Sequence, residues 1–201
     1  LTVMGGTLTP LMTGLLYCSV IEGCRKVYAL ARAREWTFAL AEWCEQQPEM
    51  VAFTGTCLVN RAEILRLHGA WQEAIDEAER AHERCLRAAN RHTAAAACYE
   101  RGEVHRLRGD FDRAEEAYRH ASEWGFEPQP GLALLRLAQG PADPPAAASR
   151  RVMLTTTDLL DRTRILSGHV EIMLAAGDLE SARAACAELE AVAARLDAEA
   201  L

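Results

Sequence analysis

The sequence predicts an all-helical protein built from repeated helical hairpins. Half of its 201 residues are hydrophobic and a quarter are charged, which is the composition of a folded chain. Aromatic residues make up only 6% of the chain and alanine is abundant, which favours closely packed helices over a sheet. One short pattern also recurs three times without gaps, and no alternating strand pattern is found.

The recurring pattern occupies residues 61–74, 101–114 and 169–182, which read RAEILRLHGAWQEA, RGEVHRLRGDFDRA and HVEIMLAAGDLESA. Each copy has a basic or imidazole residue, a glutamate two residues later, and then a glycine, a large apolar residue and an alanine. In chain order these positions hold Arg61, Arg101 and His169; Glu63, Glu103 and Glu171; Gly69, Gly109 and Gly177; Trp71, Phe111 and Leu179; and Ala74, Ala114 and Ala182.

The physical role of each repeated residue predicts a helix–turn–helix hairpin. The glycine ends one helix because it adopts a left-handed conformation that a side chain would penalise. The large apolar residue begins the next helix and fills the space between the two. The alanine allows the two helices to approach closely.

Two weaker copies extend the array. One is centred on Arg34, and the other on Gly140, which is followed by three prolines within five residues. A proline is tolerated only in the first turn of a helix, so the last helix of the Gly140 copy should begin near Pro145. The fourth repeat should therefore be short and imperfect, and a bend of the superhelix at this point is left open. The predicted helices are 10–32, 35–46, 50–68, 71–89, 91–108, 111–124, 131–139, 145–154, 156–176 and 179–199.

The Gly–x–aromatic–x–x–Ala core resembles the tetratricopeptide repeat family over about residues 10–199. The resemblance implies a right-handed superhelical array of about five hairpins in a single domain, 1–201. It also implies that the first helix of each hairpin lines a concave groove. The implied repeats are about 10–48, 50–90, 91–128, 130–154 and 156–199.

A second resemblance concerns residues 13–48, TGLLYCSVIEGCRKVYALARAREWTFALAEWCEQQP, and residues 60–81, NRAEILRLHGAWQEAIDEAERA. Both stretches resemble helical regions of actinobacterial LuxR-type transcriptional regulators, in which a repeat region precedes a C-terminal helix-turn-helix. The sequence holds no GxxxxGK[ST] phosphate loop, and no DNA-reading helix follows residue 182. The resemblance therefore implies the middle of a regulator, or a stand-alone relative without the DNA-binding end.

The predicted binding site is a polar ladder on the groove-lining helices. Its glutamates lie six residues before the turn glycines and its arginines lie three residues before them. A protein segment or a small-molecule inducer would bind there. The predicted groove residues are Asn60, Glu63, Arg66, Tyr99, Glu103, Arg106 and Glu171. The alternative is that the glutamates pair with neighbouring arginines and stabilise the stacking, as repeated positions of solenoids commonly do.

Other charged residues have alternative interpretations of the same kind. Arg61 and Arg101 either present charge at a subunit contact or form salt bridges between repeats. An arginine stripe occupies one helix face, where acidic neighbours favour a solvated surface over phosphate contacts. The stripe consists of Arg80, Arg84, Arg87 and Arg91. The formal net charge of −7 also disfavours direct nucleic-acid binding.

The sequence predicts no enzyme, no cofactor and no metal site. His82 and Cys85 are one helical turn apart and could form half of a zinc site, but no second pair has suitable spacing. No GxSxG turn is present. The predicted function is a non-enzymatic regulatory sensor module, and the alternatives are a peptide-binding adaptor or a protein that sequesters a small molecule.

The cysteines and the N-terminal segment predict a cytoplasmic location. The seven cysteines contain no CxxC pair, which favours reduced thiols. Residues 1–21 carry no charge, but they lack the basic segment of a signal peptide and are diluted by glycine and threonine. No membrane partner is therefore expected, and self-association into a homodimer is left open.

Overall fold

The computed structural model describes residues 2–3, 6–7, 9–46 and 54–196. Within them the chain forms ten helices and one antiparallel pair of two-residue strands. The helices are α1 (Pro10–Lys26), α2 (Leu30–Glu45), α3 (Thr54–Leu67), α4 (Trp71–Arg87), α5 (Arg91–Arg108), α6 (Phe111–Glu123), α7 (Gly131–Gln139), α8 (Asp143–Thr155), α9 (Leu159–Ala175) and α10 (Leu179–Leu196). The strands are β1 (Thr2–Val3) and β2 (Gly6–Thr7).

The all-α fold class is confirmed. The described residues also form one pair of two-residue strands, in which Thr2 pairs with Thr7 and Val3 with Gly6, and this pair leaves the helical class unchanged. Strands of two residues are too short to show the alternation of apolar and polar residues that reveals a strand in a sequence.

The helices stack as consecutive hairpins. Each odd-numbered helix packs against the even-numbered helix that follows it, and it also contacts the next odd-numbered helix. Each even-numbered helix up to α8 packs against the odd-numbered helix that follows it. The alanines of the repeat lie at these crossings, with Ala74, Ala114 and Ala182 no more than 2% exposed. Their small side chains allow the close helix–helix approach that the sequence predicts.

The turn glycines have the expected left-handed conformation. The φ angles are 78° at Gly69, 80° at Gly109 and 74° at Gly177. After each glycine, the next N–H donates to a carbonyl five residues earlier, as from Asp110 to His105 at 2.9 Å. This pattern satisfies carbonyl groups at the end of the first helix.

The first hairpin turns at Tyr28, and the prediction that the first copy is centred on Arg34 is wrong. Tyr28 has a φ of 56°, and the N–H of Ala29 donates to the Cys24 carbonyl at 2.9 Å, as in the glycine turns. The buried Ala33 then occupies the alanine position of the repeat. The sequence signal was missed because a tyrosine, rather than a glycine, holds the left-handed residue.

The fourth hairpin is short, as predicted. Its first helix, α7, has nine residues. Gly140, with φ −175°, is extended rather than left-handed, so this turn differs from the other three glycine turns. Helix α8 begins at Asp143, and Pro144 and Pro145 lie in its first turn, where the missing N–H groups are not needed.

The substitution Gly109→Val should lower the free energy of unfolding by about 1–3 kcal/mol, because a β-branched residue is strained at positive φ. Gly140→Val is the matched control, since its backbone is extended and an added Cβ meets no atom within 4 Å. Urea titration of both variants measures the difference. An equal shift of the two midpoints would contradict the left-handed turn at Gly109.

The expectation of reduced thiols is wrong for two cysteines. Cys18 on α1 and Cys57 on α3 form a disulfide, with their Cα atoms 6.0 Å apart. Stacking of the first two hairpins brings together these residues, which lie 39 positions apart in the sequence. Among the cysteines whose side chains the structure describes, the free thiols are those of Cys24, Cys85, Cys98 and Cys186.

Candidate interaction surfaces of the repeat array

The predicted groove residues on α3 and α5 are buried or half-buried. The exposed fractions of their charged side chains are 12% for Glu63, 13% for Arg66, 7% for Glu103 and 17% for Arg106. Asn60 and Tyr99 are also buried, whereas Glu171 on α9 is exposed. The structure therefore gathers six of the seven predicted residues on α3 and α5 and places them largely out of solvent.

Ion pairs join these side chains to one another and to residues that the prediction omitted. The Arg25 guanidinium lies 2.7 Å from Glu63 and ties the first hairpin to the second. Arg66 lies 2.9 Å from Glu100 and ties the second hairpin to the third. We call the whole set the concave ladder; its members are Glu22, Arg25, Glu63, Arg66, Glu100, Glu103 and Arg106. This geometry matches the alternative interpretation, in which the charges stabilise the stacking.

The correct register explains why Glu22, Arg25 and Glu100 were missed. With the first turn at Tyr28, Glu22 and Arg25 fall at the positions that Glu63 and Arg66 occupy before Gly69. The same spacing could have revealed them in the sequence had Tyr28 been recognised as the turn residue. Glu100 lies nine residues before Gly109, as Asn60 lies nine residues before Gly69, so it was missed because Tyr99, one residue earlier, was taken as the counterpart of Asn60.

The pKa values of two ladder glutamates are shifted in opposite directions. Burial raises the pKa of Glu100 and outweighs the opposing attraction of Arg66. Burial would also raise the pKa of Glu103, but hydrogen bonding and charge from Arg106, the charge of Arg66 and the Tyr118 hydroxyl together lower it. Glu103 is thus held as a carboxylate, while ionised Glu100 depends on a single close arginine.

The N-terminus of α7 packs against the ladder residues of the third hairpin. The Tyr118 hydroxyl donates a hydrogen bond to the Glu103 carboxylate, and Arg106 lies 2.9 Å from the same carboxylate. A Cβ atom at Gly131, the first residue of α7, would overlap Glu103 and the Tyr118 hydroxyl. A glycine therefore lets the N-terminus of α7 approach the carboxylate, where the helix dipole favours negative charge.

The fifth hairpin approaches the first two beside the concave ladder. Arg164 and Leu160 on α9 share a small cavity of about 30 Å³ with Arg25, Tyr28 and Glu63. Burial raises the pKa of Tyr28, which is consistent with a covered position. The chain itself therefore partly covers the ladder at this point.

Polar partners contact the residues at the first position of the recurring pattern, which are Arg61, Arg101 and His169. Arg61 lies 3.2 Å from Glu77 within the second hairpin, and Arg101 lies 4.0 Å from Glu79 of the preceding hairpin. His169 hydrogen-bonds Ser149 across the fourth and fifth hairpins at 2.7 Å, and both side chains are buried.

The predicted arginine stripe does not lie on a single helix, because Arg80, Arg84 and Arg87 belong to α4 and Arg91 begins α5. Arg84 is half-buried, the other three are exposed, and two members are paired with acids. Arg80 lies 3.0 Å from Glu77, and Arg87 lies 3.3 Å from Glu83. These pairs keep positive charge from concentrating on the helix face.

The residues proposed as half of a zinc site belong to the packing between α4 and α5. The His82 ring stacks on Trp124 at a centroid distance of 5.2 Å, and its Nδ1 lies 3.4 Å from the Cys98 sulfur. Among the described residues, no group of three or more His, Cys, Asp or Glu side chains is arranged to hold a metal ion. In the described segments, no helix combines the length and apolar character required to cross a membrane.

We call the surface formed by the even-numbered helices the convex side, after the arrangement that the tetratricopeptide resemblance implies. It carries grooves between successive even-numbered helices. Three cavities lie there, each bounded by an even-numbered helix and the hairpin that follows it. Their volumes are about 250 Å³ between α2 and the second hairpin, 510 Å³ between α6 and the fourth, and 630 Å³ between α8 and the fifth. Such volumes approach or fall within the roughly 300–1,000 Å³ typical of ligand pockets.

Comparison with known proteins supports the repeat interpretation. Residues 53–123 match the family model described as tetratricopeptide repeat. The crystal structure of BtubC (BKLC) from P. vanneervenii aligns with a TM-score of 0.57 over 94% of this chain and 84% of that chain, at 15% identity, which supports the fold alone. No curated protein matches the chain. Neither likeness bears on the resemblance to LuxR-type regulators, which stays a prediction. The stretch 53–123, which contains α3 to α6, is a tetratricopeptide-like repeat region.

Proposed function

We propose that the chain is a non-enzymatic interaction module that binds a segment of a partner protein. The observation that carries the proposal is the tetratricopeptide-like region at residues 53–123, because repeats of this family generally mediate protein–protein interaction. The hairpins continue this stack on both sides of the matched region, which provides an extended surface for a partner.

The concave ladder has a supporting role in this proposal. Its arginines and glutamates neutralise one another inside the chain, so a partner would have to compete with buried ion pairs to reach them. The ladder would therefore fix the curvature of the stack. Direct contact between a partner and Glu63, Arg66, Glu103 or Arg106 stays a prediction.

A regulatory role is the finer form of the proposal. The likeness of residues 13–48 and 60–81 to LuxR-type regulators supports a module whose binding state controls an attached DNA-binding element. Binding would act by changing the angle between successive hairpins, since each hairpin contacts mainly its neighbours.

Sequestration of a small molecule is the weaker alternative. It predicts that the aromatic side chains converge on one enclosed cavity. Instead, Trp36 and Trp43 pack on Tyr17 in the first hairpin, with ring centroids 5.7 and 6.0 Å away. Tyr99 belongs to a separate group with Tyr118 in the third hairpin. Trp71 is exposed and belongs to neither group. These aromatics therefore do not converge on one cavity, which favours a protein partner.

Selection from a phage library of random 12-residue peptides tests the proposed function. The folded chain should enrich a family of related peptides over a parallel selection on the same surface without protein. Titration calorimetry of the synthetic peptides should then give saturable binding. Failure to enrich any peptide family would contradict an interaction module for linear protein segments.

A further inference from the structure

The cavity between α6 and the fourth hairpin differs from the other convex grooves in its lining. We call it the proline-walled pocket. Four prolines and Leu132 contribute to its walls, and its volume is about 510 Å³. The prolines are Pro128, Pro141, Pro144 and Pro145. Proline rings are rigid and lack an N–H group, so they form an apolar surface that loses little conformational entropy when a ligand binds.

A buried acceptor in this pocket lacks a donor. The side-chain Oε1 of Gln129 is buried and accepts no hydrogen bond from any described residue. Buried polar atoms of folded proteins are nearly always hydrogen-bonded, and an unpaired one carries a free-energy cost. Because this oxygen has almost no accessible surface, the Gln129 side chain must turn into the pocket to accept an N–H group from a ligand, and that hydrogen bond would then remove the cost.

Two arginines line the pocket, and only one of them is paired with an acidic side chain. Arg136 on α7 is satisfied, because Glu115 lies 2.6 Å from its guanidinium and Gln139 accepts a further hydrogen bond at 2.9 Å. The guanidinium of Arg151 on α8 is exposed and forms no ion pair or hydrogen bond with a described residue. Glu127 is the acidic residue of the lining. Arg151 therefore supplies a positive charge that an anionic ligand group could pair with.

We infer that the proline-walled pocket binds an apolar segment of a partner polypeptide that carries a carboxylate. The apolar side chain packs against the proline rings and Leu132, a backbone N–H donates to Gln129, and the carboxylate pairs with Arg151. A polypeptide fits this chemistry because every residue except proline provides an N–H donor. The inference rests on the proposed function and assigns it a surface on the convex side, away from the concave ladder.

Parallel peptide selections on four variants test this assignment. Arg151→Glu reverses the free charge, and Ala148→Trp fills the pocket from α8, since Ala148 lines it. The matched controls are Arg87→Glu on the exposed face of α4 and Ala187→Trp at an exposed position of α10. Circular dichroism and thermal melting establish first that all four variants are folded.

The wild-type chain and both controls should select peptides that combine apolar residues with aspartate or glutamate. The Arg151→Glu variant should bind the best synthetic peptide about fivefold or more weakly than the wild-type chain does. The same variant should bind better to a version of the peptide in which lysine replaces the acidic residue. Ala148→Trp should weaken binding of the best synthetic peptide by about tenfold or more, because the indole occupies the pocket. Each control should change the dissociation constant by less than about twofold.

The outcomes separate this inference from the proposed function. Peptides that bind the Arg151→Glu and Ala148→Trp variants as well as the wild-type chain would overturn the pocket assignment and leave an interaction module in place. Selected peptides without acidic residues would overturn the partner chemistry. An absence of any selected peptide would overturn the proposed function together with the pocket.

Discussion

Replacing Arg66 with methionine should lower the free energy of unfolding by about 3–5 kcal/mol. The substitution removes the close cationic partner of Glu100, whose side chain is 4% exposed. Breaking a buried ion pair from one side leaves an uncompensated charge, which costs far more than the pair itself contributes. Urea titration measures the loss. The control Arg87→Met breaks an exposed pair with Glu83 and should cost less than about 0.5 kcal/mol.

The double variant Arg66→Met with Glu100→Leu distinguishes a charge effect from a packing effect. Replacing both partners with apolar residues removes the unpaired charge, so most of the lost stability should return. A double variant as unstable as Arg66→Met would show that Arg66 acts through its other neighbours. Those neighbours include Glu63 and Glu103, whose charges also act on the Arg66 guanidinium.

The pH dependence of Arg66→Met follows from Glu100. Its pKa is already raised in the folded chain, and loss of Arg66 should raise it further. A raised folded-state pKa gives stability that is present below the unfolded pKa and is lost as the pH rises through the folded value. The deficit of Arg66→Met relative to wild type should therefore be smaller near pH 4 than near pH 8. A deficit that grows on acidification would contradict this assignment.

The sequence predicted the helices well because each signal that defines them is local. Gly69, Gly109 and Gly177 mark their turns through a backbone conformation that glycine adopts most readily. The turn at Tyr28 uses the same conformation without a glycine, so the register of the first hairpin was displaced. That displacement hid Glu22 and Arg25, which continue the ladder into the first hairpin.

The exposure of the predicted site could not be derived from the sequence. Periodicity correctly placed Glu63 and Glu103 on the same face of their hairpins, because equivalent positions of a repeat face the same way. Whether that face is open depends on the angles between hairpins, which bring Arg164 of α9 beside Tyr28 and Glu63. The volume of each convex groove depends on the same angles. These are properties of the whole stack and have no local sequence signal.

Replacing Gly131 with alanine should lower the free energy of unfolding by about 3 kcal/mol. The added Cβ would overlap the Glu103 carboxylate and the Tyr118 hydroxyl, so α7 must shift or the buried hydrogen bond between those groups must break. Overpacking costs about 1–3 kcal/mol, and a lost hydrogen bond to a charged group adds about 1.5–3 kcal/mol where it is not re-formed.

The matched control for this prediction is Gly23→Ala in α1. An added Cβ there meets no atom within 4 Å, and alanine is the better helix former, so stability should rise by about 0.5–1 kcal/mol. Opposite signs for the two glycine-to-alanine changes in urea titration would establish that Gly131 is required by the ladder. A gain of stability at both positions would mean that α7 does not approach Glu103 closely, and that the carboxylate is held by Arg106 and Tyr118 alone.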